Sequence, residues 1–212
     1  AFAALPEGEA AVPLEDWAAM PRGRTIVVER DVPQSVVVLA RPSIRRDDPD
    51  WFAAFVMNYI LGGGFSSRLT EEIREKRGLA YGVGTSLQSY RAGGIFYGSV
   101  ATANARVGES IDLIRQEMRR MAAEGVSPGE LANAKTYLTG SFALNFASSG
   151  AIAGLLLSAQ LENLGKDYFS RRSGLIEAVT AADVARMAAR LLDPEAFTVV
   201  VVGRPEGVKS TE

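Results

Sequence analysis

The stretches LAYGVGTSLQSY (residues 79–90) and GIFYGSVATA (residues 94–103), parted by Arg91, Ala92 and Gly93, decide the fold. Each mixes aromatic, β-branched and small residues, and the break between them carries turn residues, so the pair predicts an antiparallel hairpin. The period then changes. Val107, Ile111, Ile114, Met118 and Met121 step by four and three, which predicts a helix with one buried stripe. SPGE (residues 127–130) opens another helix, with Ser127 as cap, Pro128 in the first turn and Glu130 placed to complete a capping box. Gly150 to Leu164 and Asp167 to Val179 read as further helices. Thr180 caps a last helix through Leu192, and Phe197 to Val202 reads as a final strand.

Upstream of the hairpin, Thr25 to Glu29 and Ser35 to Ala40 are β-branched runs that read as two strands joined by a turn at Asp31, Val32 and Pro33. Asp48 is expected to cap a helix whose first position is Pro49. The body of that helix, Trp51, Phe52, Phe55, Val56, Tyr59 and Ile60, presents a wide apolar face and stops at Gly62-Gly63-Gly64. A shorter helix is predicted from Ser67 to Lys76, with Glu71 and Glu72 early, Lys76 and Arg77 late, and Gly78 as C-cap, a charge order that suits the helix dipole. Strands joined in hairpins and helices gathered in runs predict an α+β fold, a mainly antiparallel sheet covered on one face by α-helices. Residues 1–23 contain three prolines and little periodicity and read as a leader or interdomain linker, with residues 24–212 as one domain. A start at Ala1 to Leu5, with neither Met nor a basic segment, is the expectation for an excised or processed piece.

Composition bounds the chemistry. The 212 residues are 47% hydrophobic and 23% charged, enough apolar content for a sizeable core and too much for a disordered chain. Lys plus Arg number 23 against 25 Asp plus Glu, a net charge of −2, so no strong field draws the chain to nucleic acid. No apolar run reaches the ~18 residues of a membrane span. The absence of histidine and cysteine excludes a His-bearing zinc site, a Ser-His-Asp triad, a Cys-His dyad, thiolate metal sites and disulfides within the chain.

Few features remain that could carry chemistry. Gly62-Gly63-Gly64 invites a phosphate-loop reading, but it follows a helix rather than a strand and no Gly-Lys-Ser/Thr comes after it, so a helix–helix turn is the better reading. Residues 71–77 read alone as a solvated helix face with i,i+4 pairs such as Glu72–Lys76. Tyr81 qualifies that reading. It lies just past Gly78 at the start of a strand, where its phenol can point back toward an arginine on the preceding helix, and the two donors suit a carbonyl oxygen or a developing oxyanion. The small residues from Gly150 to Gly154 read as core packing, and Asn104, Asn145 and Gln160 as capping or core hydrogen bonding.

LGGGFSSRL (residues 61–69), EIREKRGLAY (residues 72–81), SPGELANAK (residues 127–135) and LTG (residues 138–140) resemble the pitrilysin/insulinase family of zinc metallopeptidases, which includes mitochondrial processing peptidase. The resemblance spans roughly Arg24 to Gly203. It implies an α+β half-peptidase architecture of the LuxS and processing-peptidase type, two such halves enclosing a chamber. In that family one half carries the inverted zinc motif His-x-x-Glu-His. This chain resembles the other, inactive half: the helix that bears the motif corresponds here to Trp51 through Leu61, without a histidine.

The family's inactive half contributes an arginine and a tyrosine spaced as Arg74 and Tyr81 are. The resemblance assigns those two the substrate-binding and transition-state-support role, with Arg77 as the nearby competitor for the arginine. It implies no catalytic residue and no metal ligand in this chain, zinc in a homologous partner half on a separate subunit or the same polypeptide, and a peptide as substrate. The long glycine-rich loop of the mitochondrial non-catalytic subunit corresponds here only to the short Gly62-Gly63-Gly64, which again reads as a turn. The alternative is a structural subunit or peptide-binding module of the same fold without a proteolytic role.

Overall fold

The hairpin forms as its composition predicts: β3 (Val83–Tyr90) and β4 (Gly93–Ala103) pair antiparallel, from Val83 opposite Val100 to Tyr90 opposite Gly93. The computed structural model describes Gly8, Val12, Glu15, Trp17 and the continuous run from residue 23 to residue 211. The expected leader or linker at residues 1–23 therefore lies largely outside the described residues. Trp17 is described, and it sits on the hairpin: its N–H donates to the Ala92 carbonyl at 2.9 Å and its ring lies 5.6 Å from that of Tyr90.

With β1 (Thr25–Glu29), β2 (Gln34–Ser43) and β5 (Thr198–Gly203), the hairpin completes a five-stranded sheet in the order β1-β5-β2-β4-β3. β2 pairs antiparallel with β4 and with β5, while β1 and β5 run parallel. The sheet is thus mostly antiparallel, with one exception. β1 and β2, joined by a turn as read, are not neighbours, because β5 lies between them. The physical reason is in β5 itself: four consecutive valines, Val199 to Val202, suit a strand paired on both sides better than an alternating edge strand. The C-terminal segment then closes over β1, where the Thr25 carbonyl accepts from the Thr211 N–H at 2.9 Å and the Val27 N–H donates to Ser210 Oγ at 2.9 Å.

The helices cover one face of this sheet. They are α1 (Trp51–Asn58), continued by a π-helical turn (Tyr59–Gly63), then a π-helical segment (Thr70–Glu75), α2 (Val107–Glu124), α3 (Pro128–Gly140), α4 (Ser149–Leu161), α5 (Tyr168–Glu177) and α6 (Ala181–Leu191). Val37, Leu39, Phe96, Val100, Val199 and Val201 of the sheet share one buried core with Val56 and Met57 of α1, Ile114 and Met118 of α2, and Val184 and Met187 of α6. Each such side chain contributes about 1.5–3 kcal/mol by leaving water. The opposite face stays open, with Val36, Val38 and Val202 exposed.

The caps follow the sequence at two helices and depart from it at a third. Ser127 Oγ accepts from the Glu130 N–H at 3.2 Å while Glu130 Oε2 accepts from the Ser127 N–H at 2.8 Å, and Thr180 with Asp183 repeats the arrangement on α6. α1 begins later than read, at Trp51 with Asp50 as N-cap, and Pro49 lies in the turn before it. Asp48 is drawn away from capping: one carboxylate oxygen takes the Asp50 N–H at 2.8 Å and the other faces Arg190 of α6 at 3.3 Å.

A second departure is α4. Its small residues do not serve core packing, since a methyl group added at Gly150 or Gly154 would meet nothing within 4 Å. Ile152, Leu156, Leu157 and Leu161 stand exposed on it. No single helix among the described residues is long and apolar enough to cross a membrane.

Candidate functional site

The site is built where α1 ends. Its last turn widens into a π-helix over Tyr59–Gly63, and the chain then passes Gly64 in an extended conformation. None of Gly62, Gly63 and Gly64 has a positive φ, so they do not act as left-handed caps. They are glycines because the backbone is crowded: a Cβ at Gly62 would lie 2.6 Å from Thr85 Oγ1 of β3, and one at Gly64 would lie 2.7 Å from the Tyr59 ring. The loop is a helix–helix turn, as read, and it is fastened against the edge strand.

Beyond it the chain coils again and widens to π geometry over Thr70–Glu75, with Ile73 wholly buried and Arg74 on the outer side. Two π turns flanking one loop are unusual, and such widening recurs at functional sites. Gly78, at φ 59°, reverses the chain as the expected C-cap, with its N–H on the Arg74 carbonyl at 3.0 Å and the Leu79 N–H on the Ile73 carbonyl at 2.9 Å. That reversal carries Tyr81 back beside Arg74, whose Cζ lies 5.1 Å from the ring centroid. Tyr81 sits two residues before β3 rather than on the strand, and it is 90% exposed.

Arg77, the competitor, is turned elsewhere. Its guanidinium bonds the Glu72 carbonyl at 3.0 Å and the Glu72 carboxylate, and the expected Glu72–Lys76 pair forms at 2.7 Å. Hydrogen bonds from Lys76 and then Arg77 hold the Glu72 carboxyl below the usual carboxylate range. Among the described residues, Arg74 has a single ion pair, 3.3 Å from Nε to the exposed Glu75.

A third residue completes the cluster, and the sequence reading passed over it. Phe65, at the tip of the glycine loop, places its ring 5.0 Å from Arg74 Cζ and is 75% exposed. Its spacing from Leu69 and Ile73, four residues each, puts it in phase with two buried side chains and disguises it as core. The available signal was its place directly after three glycines and ahead of the helix.

The base of the cluster is rigid. Arg68, buried, donates from Nε and Nη2 to the two Glu130 oxygens at 2.6 and 3.0 Å and from Nη2 to the Gly125 carbonyl at 2.9 Å. Glu130 is the same residue that closes the capping box of α3, so the loop segment and the helix start are locked together. The Arg68 hydrogen bonds, against the opposing pull of burial, bring the Glu130 carboxyl down to about 2.

Chemically, the cluster offers hydrogen-bond donors at an aromatic surface: the in-plane N–H groups of Arg74 and the Tyr81 hydroxyl. It holds no nucleophile–base pair, and among the described residues no three His, Cys, Asp or Glu side chains gather as metal ligands.

The profile of the peptidase M16 inactive domain matches residues 1–138. An uncharacterized zinc protease of Streptomyces coelicolor is 32% identical over 173 residues, covering 80% of this chain and 37% of that protein. An uncharacterized zinc protease of Mycobacterium tuberculosis is 32% identical over 190 residues, covering 88% of this chain and 42% of that protein. The chain therefore spans about two-fifths of the length of these relatives. A crystal structure of the peptidase M16 inactive domain from Pseudomonas fluorescens superposes with a TM-score of 0.86 at 31% identity, over 99% of this chain and 50% of that one.

Proposed function

The chain belongs to the peptidase M16 inactive-domain family, and from that premise we propose that it is the non-catalytic, substrate-binding half of a zinc-dependent endopeptidase acting on peptides. The observation that carries the reading is the pairing of Arg74 with a Tyr81 that stands almost wholly in water. A phenol so placed contributes little to the fold, and its hydroxyl is free to donate outward. In this reading Tyr81 donates to a carbonyl oxygen of the bound peptide and Arg74 supplies in-plane N–H groups to the same oxygen or its neighbour. Both interactions strengthen as negative charge develops on that oxygen.

The chain itself does not fit a zinc ion, having neither histidine nor cysteine. Zinc belongs in this reading to a homologous partner half, where a bound ion polarises the scissile carbonyl and activates water. The length of the relatives and the apolar open face of the sheet, with Val36, Val38 and Val202 exposed, support a partner half. Residues 1–23 serve as the leader or linker to it, and residues 24–212 as the inactive domain.

The test is cleavage of a quenched fluorescent peptide library by this chain, by a zinc-motif-bearing half from the same source, and by the two mixed, each with and without chelator. Cleavage only in the mixture, lost on chelation and reduced about 10²–10³-fold by Tyr81→Phe or Arg74→Ala, is the expected result. An assembled complex indifferent to both substitutions overturns the proposed role and leaves a structural or peptide-holding subunit.

A further inference from the structure

We propose that Phe65 is a positioning residue for Arg74, forming with Tyr81 an aromatic clamp that holds the guanidinium in its outward, substrate-facing orientation. The inference rests on the reading of Arg74 and Tyr81 just given, and nothing in the family resemblance assigns Phe65 a role.

Three observations carry it. The Arg74 Cζ lies at nearly equal distances from two rings, 5.0 Å from Phe65 and 5.1 Å from Tyr81, both inside the ~6 Å range of a cation–π contact. Both rings are mostly in water, so hydrophobic burial does not explain why a phenylalanine stands at position 65. The backbone presenting Phe65 is nevertheless fixed. Gly62 lies against the Thr85 backbone too closely for any side chain, Gly64 lies against the Tyr59 ring, the Ser67 N–H donates to the Gly64 carbonyl at 3.1 Å, and Ser67 Oγ meets Thr70 Oγ1 at 3.0 Å. A mobile loop tip would not seat a ring reproducibly on a neighbouring side chain; this one is anchored on both sides.

The clamp answers a specific difficulty. Arginine has a long, flexible side chain, and among the described residues the other side-chain partner of Arg74 is a solvent-exposed glutamate at 3.3 Å, a kind of pair that orders little. Contact with the faces of two rings restricts the guanidinium without taking its hydrogen-bond donors, so that with Nε facing Glu75 the Nη groups are left for a substrate. Each exposed contact biases the population by about two- to fivefold. Loss of Phe65 is therefore a loss of orientation rather than of a donor.

In the assembled complex with the quenched peptide library, Phe65→Ala lowers kcat about two- to fivefold with little change in KM. Phe65→Tyr restores it, and Phe65→Leu, apolar but without a π face, does not. In an Arg74→Ala background Phe65→Ala has no further effect, since the group it positions is gone. An equal loss in both backgrounds, or full activity with Phe65→Leu, overturns the clamp while the roles of Arg74 and Tyr81 stand. If Arg74→Ala itself is silent, it is the functional reading that fails. The clamp is then decided on this chain by NMR: Phe65→Ala should shift and sharpen the Arg74 Nε–H resonance, and an unchanged resonance refutes it.

Discussion

Among the described residues Arg46, Arg74 and Arg172 each lie against two or more aromatic rings, and the first two do opposite things. Arg46, in the connection between β2 and α1, lies 4.8 Å from the Trp51 ring, 5.2 Å from Phe52 and 5.1 Å from Tyr168, and donates to the Tyr168 hydroxyl at 2.6 Å. Its cage joins the start of α1 to the start of α5, and its own N–H is taken by Ser89 of β3 at 2.9 Å. Every contact there connects one element to another. Arg74 makes the same kind of contact with Phe65 and Tyr81, yet those rings face solvent and tie nothing distant together. The chemistry of the two clusters is shared. What separates a fastening from a site is whether the rings are spent on the fold or left facing outward.

That contrast predicts a separation of phenotypes. The largest effect expected is at Arg74: Arg74→Ala lowers peptide cleavage by the zinc-bearing complex about 10²–10³-fold and leaves the thermal midpoint of this chain unchanged. A fall in the midpoint would show the outer cluster to be a fastening after all. Next is the anchor beneath it. Arg68→Ala leaves Glu130 without its bidentate partner and the Gly125 carbonyl without a donor, and should cost about 3 kcal/mol in urea unfolding. Arg46→Ala should cost less, about 1–2 kcal/mol, because one neutral hydrogen bond and cation–π contacts are lost, with cleavage by the folded protein unchanged.

The anchor also carries a pH dependence. The Glu130 carboxyl, at about 2 in the folded chain, lies below its ordinary value of 4.5. Its contribution to stability is therefore complete above pH ~4.5 and is lost as the pH falls from there toward 2. In urea titrations at stepped pH, Glu130→Gln should be less stable than the parent near neutrality and converge on it in acid. A constant gap across that window would place the stabilisation elsewhere.

Much of this was legible in the sequence, for reasons that also explain what was not. The capping boxes at Ser127 and Thr180, the stripe of α2 and the hairpin are local signals, written within a few residues of where they act. Strand order is not local. The segment that separates β1 from β2 comes last in the chain, and nothing near Thr25 announces it. Phe65 misleads by being in step with Leu69 and Ile73, although the coil that would bury it starts only after it. Gly62 to Gly64 were legible as a turn but not as a crowded one, because crowding depends on Thr85 and Tyr59 arriving from elsewhere. The exposed α4 inverts a compositional rule: an apolar helix reads as core, yet Ile152, Leu156, Leu157 and Leu161 face outward.

The placement of β5 also bears on how the molecule comes into being. A ribosome releases β1 and β2 early, yet neither can pair with its neighbour in the order β1-β5-β2 until the last strand has emerged and entered between them. The helices can coil and β2, β4 and β3 can pair as they appear, but β1 must wait. Pairings of such high contact order are slow to form, so the nascent chain carries open strand edges through most of its synthesis. A chain stopped short of Thr198 would lack an internal strand rather than a fringe, and would leave β1 with no partner beside a three-stranded sheet whose β2 edge is open to a chaperone or a protease.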